Sequence, residues 1–208
     1  MVKIILCGPP QSGKSVMREG LKQAIIAIKG APYPYVITAC PDGEGAWFQG
    51  TMNSDPELAK ACKAVYKATF TPEFVQRVAE SVRKCPLPLA LVDIGGFPSK
   101  ENKEICSGAT HSILIAGNSP ESGESWDSRL EPWRKFCQDL GLAIMAEIFS
   151  DYRGTKDKVK GIGRDNILRG SVHHLERGEL VRDRPLIKSL AEHIVQMVPV
   201  SKDKVMKE

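Results

Sequence analysis

The sequence predicts an α/β domain in three layers, with helices on both faces of a mainly parallel central sheet. Two observations carry that expectation. Five apolar runs, "KIILCG", "YPYVITAC", "LPLALVDIGG", "HSILIAG" and "LAIMAEIF", are too continuous for strands with one wet face and read as buried parallel strands. Between them lie stretches of helical periodicity. At 208 residues the chain suits one domain, residues 1–199, followed by a flexible tail at 200–208.

The elements follow in order. After the first run, Met17, Leu21, Ala24, Ile25 and Ile28 share one helical face, and Gly30 stands where a helix stops. Leu58, Ala61, Cys62 and Val65 share another face behind Asp55-Pro56, and Thr71-Pro72 repeats that pairing of a capping side chain with a first-turn proline. Trp126, Leu130, Trp133, Cys137 and Leu140 line a later helix ending at Gly141, in which Pro132 is expected to cause a kink or a delayed start. A polar, basic stretch runs from Asp151 to Pro185. A short amphipathic helix with Leu186, Leu190, Ile194 and Met197 closes the domain.

Composition excludes several classes. No apolar run approaches the ~20 residues of a membrane span, and the first strand leads at once into a glycine-rich loop, which leaves no room for a signal peptide. A cytoplasmic protein is expected. Six scattered cysteines without a C-x-x-C pair read as reduced thiols, not as a zinc site or a disulfide framework. The net charge of +4 is uneven: residues 1–150 carry 16 cationic and 16 acidic side chains, and residues 151–208 carry 13 and 9.

The glycine-rich loop is Gly8-Pro9-Pro10-Gln11-Ser12-Gly13-Lys14-Ser15. It fits G-x-x-x-x-G-K-[ST], with a strand before it and a helix after it, and so predicts a P-loop NTPase fold. Small residues let backbone N–H groups converge on phosphate oxygens at the positive end of a helix. The expected nucleotide-binding set is Gly8, Pro9, Pro10, Gln11, Ser12, Gly13, Lys14, Ser15 and Val16. Lys14 would reach the outer phosphates and Ser15 would ligate Mg²⁺. Asp93, at the end of "LALVDIGG", is the expected second metal-shell residue, and Gly95-Gly96 would let the backbone approach the γ-phosphate.

Asp42 and Glu44 in "ACPDGEGAW" could position a water, accept a proton from a substrate hydroxyl, or simply stand in a polar turn. Asn118 in "AGNSPESGES" is the candidate base contact, since its amide both donates and accepts. The guanine-reading N-K-x-D is absent, which leaves ATP as the expected nucleotide by elimination. Nine cations, Arg153, Lys156, Lys158, Lys160, Arg164, Arg169, Arg177, Arg182 and Arg184, make residues 153–184 a solvated loop, an arginine lid over transferred phosphate, or a contact surface for RNA.

With these pieces placed, the chain resembles the P-loop ATPase (AAA-like) domain associated with the CRISPR type III ring-nuclease family. "GPPQSGKS", "CPDGEGAW", "DIGG" and "HHLERG", spread over residues 4–178, carry the resemblance. It implies a role in antiviral defence and a ring-nuclease protein as partner. "DIGG" also resembles the switch of the dimerising P-loop ATPases related to septum-site and cobyrinate-synthesis proteins, which implies a homo-oligomer. Those ATPases often carry a second lysine early in the loop, where this chain has Pro9-Pro10-Gln11. Three functions follow: a Mg²⁺-dependent ATPase acting as a switch or effector module, a small-molecule or nucleotide kinase, and a nucleotide-gated RNA-binding module.

Overall fold

The computed structural model describes residues 1–40 and 70–199. The segments holding Asp42, Glu44 and the helical pattern at Leu58–Val65, and the tail at 200–208, lie outside these residues. Among those described, the strands are β1 (Val2–Cys7), β2 (Pro34–Ala39), β3 (Leu89–Ile94), β4 (His111–Ala116), β5 (Ala143–Asp151), β6 (Lys158–Ile162) and β7 (Leu168–His173). The helices are α1 (Lys14–Ala27), α2 (Pro72–Lys84), α3 (Lys100–Cys106), α4 (Trp126–Asp139) and α5 (Pro185–Met197).

The strands sort their side chains into two apolar layers by simple alternation. Ile4 and Leu6 of β1 and Leu89 and Leu91 of β3 join one cluster; Ile5, Cys7, Ala90 and Val92 join the other. The first cluster is closed by Met17, Leu21 and Ile25 of α1 and by Leu186, Leu190 and Ile194 of α5. Val78 and Val82 of α2, Ile105 of α3, and Leu130, Trp133 and Phe136 of α4 close the second. Strands with both faces covered in this way must be apolar throughout, which is why their sequences show no alternation.

Strand order is β2-β3-β1-β4-β5-β7-β6. Every neighbouring pair is parallel except β6–β7. The molecule therefore has the expected three-layer α/β architecture. β1 sits between β3 and β4, so the loop leaving β1 lies at the carboxyl end of the sheet beside the ends of both, where ligands of open α/β sheets bind.

Local signals act as expected at most boundaries. Thr71 Oγ1 accepts from the Phe74 N–H at 3.2 Å with Pro72 in the first turn, a cap worth about 1 kcal/mol. Gly141, at φ 65, follows the last turn of α4. Pro132 does not delay the start: α4 begins at Trp126, capped by Ser125 Oγ on the Ser128 N–H, and continues through the proline. Leu130, Trp133, Phe136 and Cys137 are buried along its length, and their packing offsets the one missing N–H donor.

The basic stretch is the larger correction. Where the sequence reads as polar loop, the chain forms β7, which extends the parallel sheet beyond β5, and β6, which adds an antiparallel edge strand to it. Arg169 Nε pairs with Glu147 Oε2 at 3.3 Å, and its other nitrogens meet Asp165 at 2.7–3.0 Å. Arg184 is held by Glu179 and by the His173 carbonyl oxygen. Of the thiols described, Cys7, Cys85, Cys106 and Cys137 are buried and unpaired as disulfides. Burial pushes the Cys7 and Cys106 thiols far up, which keeps them protonated and inert.

Candidate functional site

The loop after β1 takes its shape from backbone geometry that only some residues allow. Gln11 (φ 60) and Gly13 (φ 87) are left-handed, which turns successive peptide groups towards one side, the geometry of an anion-binding nest. Gly13 is also the N-cap of α1. Met17 N–H makes the first helical bond, to Gly13 O at 2.9 Å, and the N–H groups of Lys14, Ser15 and Val16 precede it at the positive end of the helix.

Lys14 is buried, and its ammonium donates to Gly8 O at 2.8 Å and Pro9 O at 3.0 Å. The charge is thereby fixed across the entrance of the loop. Ser12 is buried too, and its Oγ has no hydrogen-bond partner among the described residues. An unsatisfied hydroxyl is costly in an ordinary turn and serves a loop that closes around an anion. Val16 turns its side chain into the core, so any contact it makes comes from its backbone.

Asp93 is level with Leu6 of β1 and Thr38 of β2 in the sheet register. It follows Leu89 and Leu91 on the face towards α1, so its carboxylate, 5% exposed, stands beneath the start of that helix. Lys14, Ser15, Thr38, Asp93, Gly95 and Gly96 all line one cavity of about 740 Å³. The expected pairing of the loop with "DIGG" is therefore a physical juxtaposition. Gly96 lies close for an additional reason: a Cβ there would stand 2.7 Å from Pro10 N. Asn102 Nδ2 donates to Phe97 O at 2.7 Å and pins the segment that follows.

Sequence reasoning missed Arg18. It lies one turn beyond Lys14, is fully buried, and places Nε 3.7 Å from Asp93 Oδ2. None of its three guanidinium nitrogens has a hydrogen bond among the described residues. Such a cation costs several kcal/mol to bury without an anion nearby, so Arg18 and Asp93 hold each other in place. A charged residue inside the apolar arc of Met17, Leu21 and Ile25 is the signal that could have found it.

Leu175 was missed as well. "HHLERG" passes over the loop, and a Cβ on Gly13 would meet Leu175 Cδ1 at 2.6 Å. Leu175 lines both the first cavity and a second one of about 840 Å³, which shares Pro10–Gly13 and extends to Asn118, Ser125 and Tyr152. Arg177 lines the first cavity. Asn118 lines the second, but its Oδ1 accepts the Trp126 N–H at 2.8 Å. That bond fixes the amide and presents its NH₂ group, where the sequence suggested a contact that both donates and accepts. The catalytic candidates Asp42 and Glu44 lie outside the described residues. Among the described residues no helix is long and apolar enough to cross a membrane.

No protein-family model matches the chain, and no curated protein matches it. Solved structures do. A Borrelia burgdorferi B31 protein assigned to plasmid partition, bound to AMPPNP, is similar over 94% of this chain and 97% of its own, at 11% identity and a TM-score of 0.53. The septum site-determining protein MinD from Pyrococcus horikoshii OT3, complexed with Mg-ADP, is similar over 74% of this chain and 72% of its own, at 12% identity and a TM-score of 0.49. At these identities likeness speaks for architecture alone, and the first of the two extends over nearly the whole of both chains. Sheet order, loop and neighbour agree: this chain has the three-layer α/β fold of the P-loop NTPases.

Proposed function

We propose that the chain is a Mg²⁺-dependent ATPase that works as a switch. The observation that carries this reading is the single cavity lined by Lys14, Ser15, Asp93 and Gly95-Gly96. In it, the backbone N–H groups of residues 11–16 and Lys14 bind phosphate, and the unsatisfied Ser12 hydroxyl fits an anion in the loop. Ser15 and Asp93 supply hard oxygen donors of the kind Mg²⁺ accepts, which binds through one or two carboxylates together with substrate phosphates. Held by Ser15 and Asp93, Mg²⁺ would supply positive charge to offset that of the departing terminal phosphate. Asp42 or Glu44 positions the water. An adenine nucleotide is supported by the AMPPNP of the Borrelia protein.

The test is incubation with γ-labelled ATP. Labelled free phosphate is expected, lost on chelation of Mg²⁺ and reduced ~100-fold in Asp93→Asn, as when one group stabilising developing charge is removed. A labelled organic product in the presence of a metabolite mixture would mean a kinase instead. The setting in CRISPR defence, with a ring-nuclease partner, rests on the sequence resemblance; co-purification of the two proteins tests it.

One observation favours a nucleic-acid contact besides. Within the basic segment, Arg169, Arg182 and Arg184 are paired with Glu147, Asp165, Asp183 and Glu179. Arg153, Lys156, Lys158, Lys160 and Arg164 have no ion pair among the described residues, and all five are exposed. If they bind RNA phosphates, log K should fall against log salt with a slope of about −3 to −4 for single strands. A slope near zero counts against the contact.

A further inference from the structure

The second cavity holds an aromatic side chain that neither the phosphate chemistry nor the core requires. Tyr152, at the turn after β5, is 65% exposed and belongs to neither apolar cluster, whereas Trp133 and Phe136 are 2% exposed inside one of them. Its ring lies against the His174 imidazole, centroids 4.9 Å apart and planes inclined by 32°. The histidine is itself held. Its backbone N–H donates to Asp151 O at 3.0 Å, its Nδ1 stands 3.0 Å from Tyr152 O, and its Nε2 stands 3.0 Å from Glu176 Oε1.

His174 also adopts a left-handed backbone (φ 40), which an L residue keeps only where its surroundings impose it. The next residue is Leu175, seated on Gly13 of the phosphate loop. One side of the tyrosine ring is thus backed by a fixed imidazole, while Tyr152 lines a cavity that Pro10, Gln11, Ser12 and Gly13 of the phosphate loop also line. A large π-face in a cavity shared with the phosphate loop is suited to a planar heterocycle.

We propose that Tyr152 is the platform on which the nucleobase stacks. The inference rests on the reading of residues 8–16 as the phosphate site and adds the group that holds the other end of the nucleotide. Stacking accepts every base, because each has a π-face. Discrimination between bases would then fall to polar groups along the same cavity, the Asn118 NH₂ among them.

The experiment measures Kd for ATP, GTP and inorganic tripolyphosphate, each with Mg²⁺, on the full chain and on Tyr152→Ala and Tyr152→Phe. The alanine variant should weaken ATP and GTP by a similar factor, about tenfold or more, and leave tripolyphosphate unchanged. Tyr152→Phe should bind ATP as the parent does. Unchanged ATP affinity in Tyr152→Ala overturns the proposal. So does an equal loss for tripolyphosphate, which would mean that the tyrosine only staples two loops together. If tripolyphosphate fails to bind the parent chain while ATP binds, the phosphate-loop reading falls as well.

Discussion

Lys14→Ala is expected to abolish ATP turnover and most Mg·ATP affinity. The ammonium is buried and placed by two carbonyls, Gly8 O at 2.8 Å and Pro9 O at 3.0 Å, so its position beside the loop is set by the protein itself. A charge-assisted hydrogen bond contributes roughly 1.5–3 kcal/mol, which corresponds to about 10- to 100-fold in Kd. Turnover should fall further, by ~100- to 1,000-fold, because charge grows on the phosphate oxygens as the bond breaks. Titration calorimetry with AMPPNP and phosphate release read the two effects separately. Binding at the parent's affinity in a folded Lys14→Ala variant would mean that the loop does not hold the triphosphate.

Gly8→Ala should be the most damaging single methyl group at any glycine among the described residues. Its Cβ would stand 1.9 Å from Ile115 O and 3.0 Å from Ser12 Oγ. The first of these is backbone in β4, itself bonded between β1 and β5, so it cannot yield without parting strands at the middle of the sheet. Overpacking of this kind costs at least about 3 kcal/mol, which for a chain of this size is a fall of about 10 °C in Tm. Thermal unfolding followed by circular dichroism measures it. A Tm within about 2 °C of the parent would show that β1 and β4 can separate at little cost. The second effect is chemical: a loop displaced by that methyl group cannot keep Lys14 across its entrance.

How much could be read from the chain depends on what covers each element. β1, β3 and β4 were legible because both of their faces are buried, and burial on both sides demands uninterrupted apolar sequence. β2, with Tyr35 exposed, and β5 are only partly covered and were legible from their apolar, β-branched runs. β6 was not legible: it is the outermost strand, its residues are largely exposed, and Lys158 and Lys160 discourage further pairing at that edge. β7 carries a faint alternation, Leu168, Gly170 and Val172 inward, which the surrounding charge obscures. For the site, the glycine-rich motif is local and announces itself, and Asp93 follows because the end of a buried strand is visible in sequence. Arg18 left a local trace, a charge inside the apolar arc of Met17, Leu21 and Ile25, whereas Leu175 reaches the loop through a tertiary contact that no local pattern encodes.

The contacts around Gly8, Gly13 and Gly96 bear on how the protein is made. Residues 8–15 are synthesised well before Gly96, Ile115 and Leu175, which pack closely against them in the folded chain. Sequence separations of that length are slow to close and are completed late. A nascent chain truncated before Leu175 would display the entire nucleotide-binding motif without the segment that seats on it. On the proposed function, ATP would act as a ligand that rewards completion of folding, since whatever binds only the native state stabilises it.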